Sequence, residues 1–207
     1  MQLRKVLTVI AATALVGTLA SCSMADGELN IESTKVATVT EEIVPALPEI
    51  PKIDITTGAP AAGTNEALAW EALMGPDGEY AAAASYAAVL DKYGQVQPYA
   101  TIYQAELKHV DALIKQLDRA GIVAPANPYM GKIEAPADLT TAAQAWAEGE
   151  ILNVEMYDVL IAQSSDTNLT KVLNNLRSAS LDSHLPMFEL AAANGGTLTA
   201  EQMANRG

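Results

Sequence analysis

Residues 98–117 read PYATIYQAELKHVDALIKQL, and this stretch decides how the rest of the chain is interpreted. Its apolar residues recur every three or four positions, which places them on one face of an α-helix. Pro98 suits the first turn of this helix, named helix B, and Gly121 is its expected end. Glu106 and His109 fall on the same inward face. The sequence therefore predicts a helix whose buried side carries two groups that bind protons or metal ions.

Three further segments have the helical period, so we predict an all-α fold. Helix A is expected from about 65 to 93, with an interruption at 75–78 (Gly-Pro-Asp-Gly). Helix C is expected from about 138 to 163. Helix D is expected from about 166 to 193, where Asn-Gly-Gly at 194–196 ends it.

The connections between the helices differ in length. The A–B and C–D links are short and favour antiparallel hairpins, whereas residues 122–137 carry three prolines and no period. A link of 16 residues reaches roughly 55 Å, which exceeds the roughly 30 Å length of a 20-residue helix. We therefore predict a ferritin-like four-helix bundle with a long crossover between helices B and C, although a link of this length is also able to fold back.

Five polar residues lie on the predicted inward faces of the four helices, and they include both histidines of the chain. Carboxylates are seldom buried without a partner, so their convergence predicts a bound cation. Four-helix proteins that bind two iron or manganese ions use one Glu from each of two helices and Glu-x-x-His from each of the other two. The candidate metal ligands are Glu79, Glu106, His109, Glu150 and His184.

The match to that ligand pattern is incomplete, because Leu181 stands where the second Glu-x-x-His would have its Glu. Tyr86 follows Glu79 by seven residues and therefore shares its helix face. Tyr157 follows Glu150 by the same interval. Both tyrosines are candidate outer partners of the ligands, with ordinary core packing as the alternative. Glu79 is also consistent with an exposed residue in the first turn of a helix.

The N-terminus has the features of a bacterial lipoprotein signal over residues 1–22. Arg4 and Lys5 precede an apolar stretch that ends in Leu-Ala-Ser-Cys, and Cys22 is the only cysteine of the chain. In such signals the peptide is cut before the cysteine and the thiol is lipidated, so Cys22 is the predicted lipidation site. The alternative is an ordinary signal peptide with an incidental cysteine.

Two segments are predicted to lie outside the bundle. Residues 23–64 are rich in Pro and Thr and are expected to form a flexible tether. The alternation of Ile50, Ile53 and Ile55 leaves open that part of this tether packs on the helices as an extended segment. Residues 194–207 are expected to be a disordered tail.

Composition narrows the range of partners. The chain has 12 Lys and Arg against 25 Asp and Glu, with a net charge of -13, and such an acidic protein is a poor ligand for nucleic acid. A single cysteine excludes a disulfide framework within the chain and a cysteine-rich metal site. The expected partner is a membrane, reached through the lipid anchor, and a homodimer is compatible with the sequence.

Four motifs occur in order along the helices. They are Asp-Gly-Glu-Tyr at 77–80 with Tyr86, Gln-Pro-Tyr at 97–99 with Ala-Glu-Leu-Lys-His at 105–109, Glu-Ile-Leu-Asn-Val at 150–154 with Met-Tyr-Asp at 156–158, and Asn-Leu-Arg at 175–177 with Ala-Ser at 179–180 and His-Leu-Pro-Met-Phe at 184–188. In this combination, from about 65 to 193, the chain resembles bacterial ferritin-like domains of unknown function. The resemblance implies a four-helix ferritin-like bundle with a two-metal site at the five candidate ligands.

The sequence thus predicts a lipid-anchored, ferritin-like metal-binding protein of the cell envelope, with two metal ions in redox or metal handling. Iron is favoured, with manganese or zinc as alternatives, because sites rich in carboxylates and poor in histidine suit iron and manganese. An enzymatic activity would be that of an oxidoreductase acting on Fe(II), O₂ or peroxide. The alternatives are a non-enzymatic surface bundle that binds a partner through a degenerate site, and a metal buffer without turnover.

Overall fold

A computed structural model describes residues 48–205, and within this range the protein contains helices and no strand. The all-α prediction is therefore confirmed for the described part. The predicted signal peptide, Cys22 and most of the tether lie outside it. The elements are α1 (Asn65–Met74), α2 (Glu79–Tyr93), α3 (Tyr99–Arg119), α4 (Leu139–Gln163), α5 (Thr167–Ala179), a π-helical turn (Ser180–His184), α6 (Leu185–Ala193) and α7 (Ala200–Ala204).

Short polar side chains fix where several of these helices begin. Thr64 accepts a hydrogen bond from the backbone N–H of Ala67 at the start of α1. Asp138 and Asp166 do the same for the starts of α4 and α5. Each bond satisfies one of the backbone donors that a helix leaves free at its N-terminus. The predicted starts of helices C and D agree with these caps.

Helix A is divided at the predicted interruption, and α2 begins directly after it at Glu79. The break brings two backbone segments very close together, because a Cβ atom at Gly78 would lie 2.5 Å from the carbonyl oxygen of Ala72. Only glycine permits this approach. As a result Glu79 enters the fold in the first turn of α2, where it is buried and not exposed to solvent.

The helices pack in two groups. In the first, α1 and α2 both pack against α3; in the second, α4 packs along α5 and α6. Buried apolar side chains form two clusters at different levels of the helices. One contains Trp70, Leu113, Leu173 and their neighbours, and the other contains Tyr99, Trp146, Phe188 and theirs. On α3 and α4 a short polar interval separates the two clusters.

The long connection between α3 and α4 runs beside α2. Near the start of α2, the Tyr80 hydroxyl donates to the carbonyl oxygen of Pro125. Near its end, Lys92 and the Tyr93 hydroxyl donate to the carbonyl oxygen of Pro136. The connection therefore follows α2 from one end to the other, and this path explains why the connection is long.

The segment before α1 lies against the helices. Ile50, Ile53 and Ile55 pack on the first apolar cluster, while Lys52 and Asp54 between them are exposed. The indole N–H of Trp70 donates to the carbonyl oxygen of Ile55 at 2.8 Å. This part of the predicted tether is thus the packed, extended segment that the alternating isoleucines had left open as the alternative.

The C-terminal segment, predicted to be disordered, follows a defined path as far as residue 205. Leu198 is buried and its backbone N–H donates to Gln97, and α7 follows with a capping box at Thr199. Gly196 lies directly against the backbone of Leu139 at the start of α4. None of the helices between residues 48 and 205 combines the length and the apolar character needed to cross a bilayer.

Two adjacent glycines test the packing of this segment. Gly195 and Gly196 both have positive φ, but a Cβ atom would meet nothing at Gly195 and would collide with Leu139 at Gly196. We expect Gly195→Ala to cost about 1 kcal/mol through its backbone conformation alone. Gly196→Ala should cost about 2–3 kcal/mol, because the collision adds to that strain. Denaturant unfolding of both variants measures the difference, and equal losses would contradict this packing.

Candidate metal centre

The five predicted ligands meet in the polar interval between the two apolar clusters. Glu79, Glu106, Glu150 and His184 are buried, each with at most 3% of its surface exposed. The side chain of His109 is 12% exposed. The structure thus brings together all five residues, which come from α2, α3, α4 and the π-helical turn. They form two groups able to hold a metal ion, one of Glu79, Glu106 and His109 and the other of Glu106, Glu150 and His184.

Glu106 belongs to both groups and turns one carboxylate oxygen towards each. Its Oε2 atom is 3.2 Å from Nδ1 of His109, and its Oε1 atom is 3.0 Å from Nδ1 of His184. The two imidazole rings stack with centroids 5.5 Å apart. A second carboxylate approaches the same Nδ1 atom of each histidine: Oε2 of Glu79 is 3.4 Å from Nδ1 of His109, and Oε1 of Glu150 is 3.5 Å from Nδ1 of His184. Glu79 and Glu150 are named the outer carboxylates, because each belongs to one group only, whereas Glu106 belongs to both.

Two tyrosines hold the outer carboxylates from the opposite helix. Tyr86 on α2 donates its hydroxyl to Oε1 of Glu150 on α4, at 2.5 Å. In the reciprocal bond, Tyr157 on α4 donates to Oε1 of Glu79 on α2. Since each bond crosses between helices, the two tyrosines fix the separation of α2 and α4 at the level of the site. Both tyrosines therefore contact candidate ligands, and their role as outer partners of a metal site stays a prediction.

Two buried atoms of the site have no hydrogen-bond partner among the described residues: Oε2 of Glu79 and Nδ1 of His184. Nδ1 of His184 is close to Glu106, but the oxygen lies off the direction in which the ring N–H would donate. Such a short distance between two donor atoms without a hydrogen bond is expected when both atoms face one cation. Two ligand atoms that each lie about 2.1 Å from an ion, at right angles, are about 3 Å apart. Buried polar atoms without partners are rare, so the donor set fits a metal ion.

In the absence of metal, three groups of the site hold their protons more strongly than usual. Burial lowers the pKa of His109, but its contacts with Glu106 and Glu79 outweigh it and raise that pKa to about 10. Burial also lowers the pKa of His184, and its contacts with Glu106 and Glu150 raise that pKa to about 9. Burial, with the nearby charge of Glu106, raises the pKa of Glu79 to about 8. Burial raises the pKa of Glu106, but its bonds to the neighbouring side chains outweigh this and hold that pKa below its usual range.

The residues before His184 are not placed as the spacing of a regular α-helix predicts. Leu181, expected at the place of the missing ligand, is 37% exposed and points away from the buried interior. The π-helical turn contains this residue, and its wider turn brings the residue four before His184 to the buried side. That residue is Ser180, which is buried and donates its hydroxyl to Oδ1 of Asn153 at 2.7 Å. Helical periodicity alone carries no signal for such a change of register.

Asn153 is a buried polar residue that the sequence did not identify as part of the site. It lies three residues after Glu150 on α4, and its amide nitrogen donates to the carbonyl oxygen of Asp77 in the break between α1 and α2. The Glu150-x-x-Asn153 spacing was the available signal, because it repeats the geometry of Glu106 and His109. The Ser180–Asn153 pair therefore joins the π-helical turn, α4 and the start of α2 beside the site.

Comparison of the chain with protein-family models, with curated proteins and with solved structures gave no match. The fold and the site are therefore the only basis for assigning the chain to a class of protein.

The proton balance predicts how the stability of the metal-free protein depends on pH. Both histidines have a folded pKa above their ordinary value of 6.5, so the stability they contribute is present below that value and is lost as pH rises through about 9 and 10. The pKa of Glu79 is raised to about 8, so this group also lowers the stability of the fold as pH rises towards that value. We expect the free energy of unfolding, measured with a chelator present, to fall between about pH 7 and about pH 9.5. Constant or rising stability over this range would contradict the assignment.

Proposed function

We propose that this chain is a ferritin-like protein with a carboxylate-bridged two-metal site, anchored by lipid on the outer side of the cytoplasmic membrane or in the envelope beyond it. The four rods of the bundle would be α1 with α2, α3, α4, and α5 with the π-helical turn and α6. Two observations support a crossover between α3 and α4. The connection follows α2 along its length. The Tyr99 hydroxyl, at the start of α3, donates to Leu139 at the start of α4, as expected if these helices are parallel.

The observation that carries the proposal is the position of Glu106 between the two histidines. A carboxylate that turns one oxygen to each of two imidazoles has the geometry of a bridging ligand between two ions. Glu79 with His109 and Glu150 with His184 then complete one ligand set each. Two separate single-ion sites would not require a shared buried carboxylate.

The donor set favours particular metals. Three carboxylates and two imidazoles suit iron or manganese, whereas structural zinc sites in proteins use cysteine and histidine more often. When bound, a pair of iron ions supplies two electrons and vacant coordination positions, which suits redox chemistry with Fe(II), O₂ or peroxide. Manganese or zinc would fit the same donors with less redox reactivity at the site.

The residues around the ligands support such chemistry in three ways. The apolar clusters above and below the site exclude bulk water, which strengthens electrostatic interactions within it. Tyr86 and Tyr157 orient the outer carboxylates, as outer partners of metal ligands generally do. Burial and the adjacent carboxylates raise the pKa of each tyrosine well above its usual value, so both hydroxyls keep their protons at neutral pH.

A metal-binding protein without turnover is the second candidate. It is favoured by the number of ligands, because the buried residue four before His184 is Ser180, a neutral side chain that bonds to Asn153. Fewer ligands mean weaker and more readily exchanged ions. Rapid exchange of bound manganese, with no oxidation of added Fe(II) beyond the rate in buffer, would favour this candidate.

Substitution of an outer ligand tests the two-metal site. Glu150→Gln keeps the size of the side chain and removes a charged donor, so we expect it to lose about half of the bound metal, the ion held with His184. Glu148→Gln, on the exposed side of the same helix, is the matched control and should retain all of it. Metal content by mass spectrometry after loading with Fe(II) or Mn(II) measures both. Equal metal content in the two variants, or none in the unsubstituted protein, would contradict the proposal.

Lipidation is tested at Cys22. Several acyl chains on one residue anchor a protein firmly, since each buried CH₂ contributes about 0.8 kcal/mol. We expect Cys22→Ser to move the protein from the membrane fraction to the soluble fraction, and mass spectrometry of the unsubstituted protein to show acyl groups on a mature N-terminal cysteine. Retention of the variant in the membrane fraction would count against the anchor.

A further inference from the structure

Residues 48–55 form a segment, named the strap, that lies against the helices and belongs to no helix or strand itself. Ile50, Ile53 and Ile55 pack on the first apolar cluster, and the indole N–H of Trp70 donates to the carbonyl oxygen of Ile55. The strap is therefore held by side-chain packing and by this hydrogen bond, and not by the ladder of backbone bonds that ties a strand into a sheet.

The first residues of the strap line a small cavity beside the candidate metal centre. The volume of the cavity is about 60 Å³, and Pro48 and Ile50 belong to its wall. Glu106 and Glu150, two of the candidate ligands, belong to the same wall. The cavity therefore has the strap on one part of its wall and the second ligand group on another.

Differences in burial show where the cavity meets solvent. On the side of the ligands, Glu106 and Glu150 are buried. Asp77, in the break between α1 and α2, also lines the cavity but is exposed. Pro48 and Ile50 are half-buried, as residues at the rim of an opening are. The mouth of the cavity therefore lies at the break and the strap.

The wall carries acidic side chains from the mouth inwards, with Asp77 at the mouth and Glu106 and Glu150 further in. Carboxylates in a partly enclosed cleft attract cations and repel anions. The group at the inner end also includes Nδ1 of His184, which is buried and lacks a hydrogen-bond partner among the described residues. The path from the mouth to this group therefore suits a metal cation, and the strap lies beside it.

We propose that the strap is a cover over this mouth, and that its release from the helices limits the exchange of metal ions at the group of Glu106, Glu150 and His184. The exchange of metal rests on the proposed function. The cover does not, because it is a property of the chain without metal: release of the strap admits water to the cavity whether or not a cation follows.

The strap is able to open while the helices stay folded. Segments held by few buried contacts open locally, with a free energy well below that of global unfolding. The three isoleucines are only half-buried, so each contributes less than a residue of the core. Ile53 is the residue to change, because it packs on the apolar cluster without lining the cavity. Its truncation loosens the strap and leaves the residues of the mouth as they are.

Hydrogen exchange of the two indole N–H groups, followed by NMR on the metal-free full chain, tests the cover. Trp70 donates to the strap, so its exchange reports release of the strap. Trp146 lies on the cavity wall, and its buried N–H has no hydrogen-bond partner among the described residues, so exclusion of water protects it from exchange. We expect Ile53→Ala to speed both exchanges about tenfold. Lys52→Ala, at an exposed position of the strap, is the matched control and should change neither.

The two indole groups together decide the outcome. Faster exchange at Trp70 with unchanged exchange at Trp146 in folded Ile53→Ala would overturn the proposal, because the strap would then open without admitting water to the cavity. Unchanged exchange at both groups would overturn it as well. If Ile53→Ala does not fold, Ile53→Val, which removes a single carbon, should speed both exchanges by a smaller factor, and a change at Trp70 alone would again contradict the cover.

Release of metal tests the second half of the proposal. The full chain is loaded with Mn(II) and mixed with excess EDTA, and Ile53→Ala should release the ion of the second ligand group about tenfold faster than the unsubstituted protein. Lys52→Ala should release it at the unsubstituted rate. Equal release from Ile53→Ala and the unsubstituted protein, despite faster indole exchange, would overturn the control of metal exchange by the strap. If the unsubstituted protein binds no Mn(II), but both indole groups respond together to Ile53→Ala, the proposed function is refuted and the cover is established.

Discussion

Burial of three carboxyl groups and two imidazoles between two apolar clusters is the constraint on which this fold depends. An unpaired ionised group in such a position is strongly destabilising, so each of the five groups needs a partner from another helix. The contacts Glu106–His184, His109–Glu79, Tyr86–Glu150 and Tyr157–Glu79 supply these partners. The same contacts set the spacing and the rotation of the helices, since hydrophobic packing alone tolerates small shifts that would separate a hydroxyl from its carboxylate.

Two irregularities among the helices of residues 48–205 lie next to this polar layer. The glycine-containing break ends at Gly78, directly before Glu79, and the π-helical turn ends at His184. A continuous α-helix in either place would rotate the following ligand away from the site, because one residue advances the helix by about 100°. Pro186 falls in the first turn of α6, just after the π-helical turn, where a missing backbone N–H is tolerated. The breaks therefore serve the geometry of the ligands and do not merely interrupt helices.

Much of this arrangement was predictable from sequence because it is local. The limits of the helices follow from the helical period, the capping residues and the glycines. The inward faces of α2, α3 and α4 carry their candidate ligands at helical spacing. The features that were missed depend on contacts between distant residues. Ser180 and Asn153 become a pair only when a π-helical turn changes the register, and the period of helix D reads the same with or without it. The path of residues 48–57 and of Leu198 also depends on surfaces formed by other helices.

A donor set of three carboxyl groups and two imidazoles has a consequence for the site without metal. With raised pKa values at His109 and His184, two positive imidazoles face Glu106 and Glu150, while the raised pKa of Glu79 leaves that group neutral at pH 7. These protons reduce the negative charge that the three buried carboxyl groups would otherwise give the site. A fourth buried carboxyl group would have to take up a further proton or remain unpaired. Metal ions bound at this site would replace these protons, so their affinity would rise with pH as the histidines lose them.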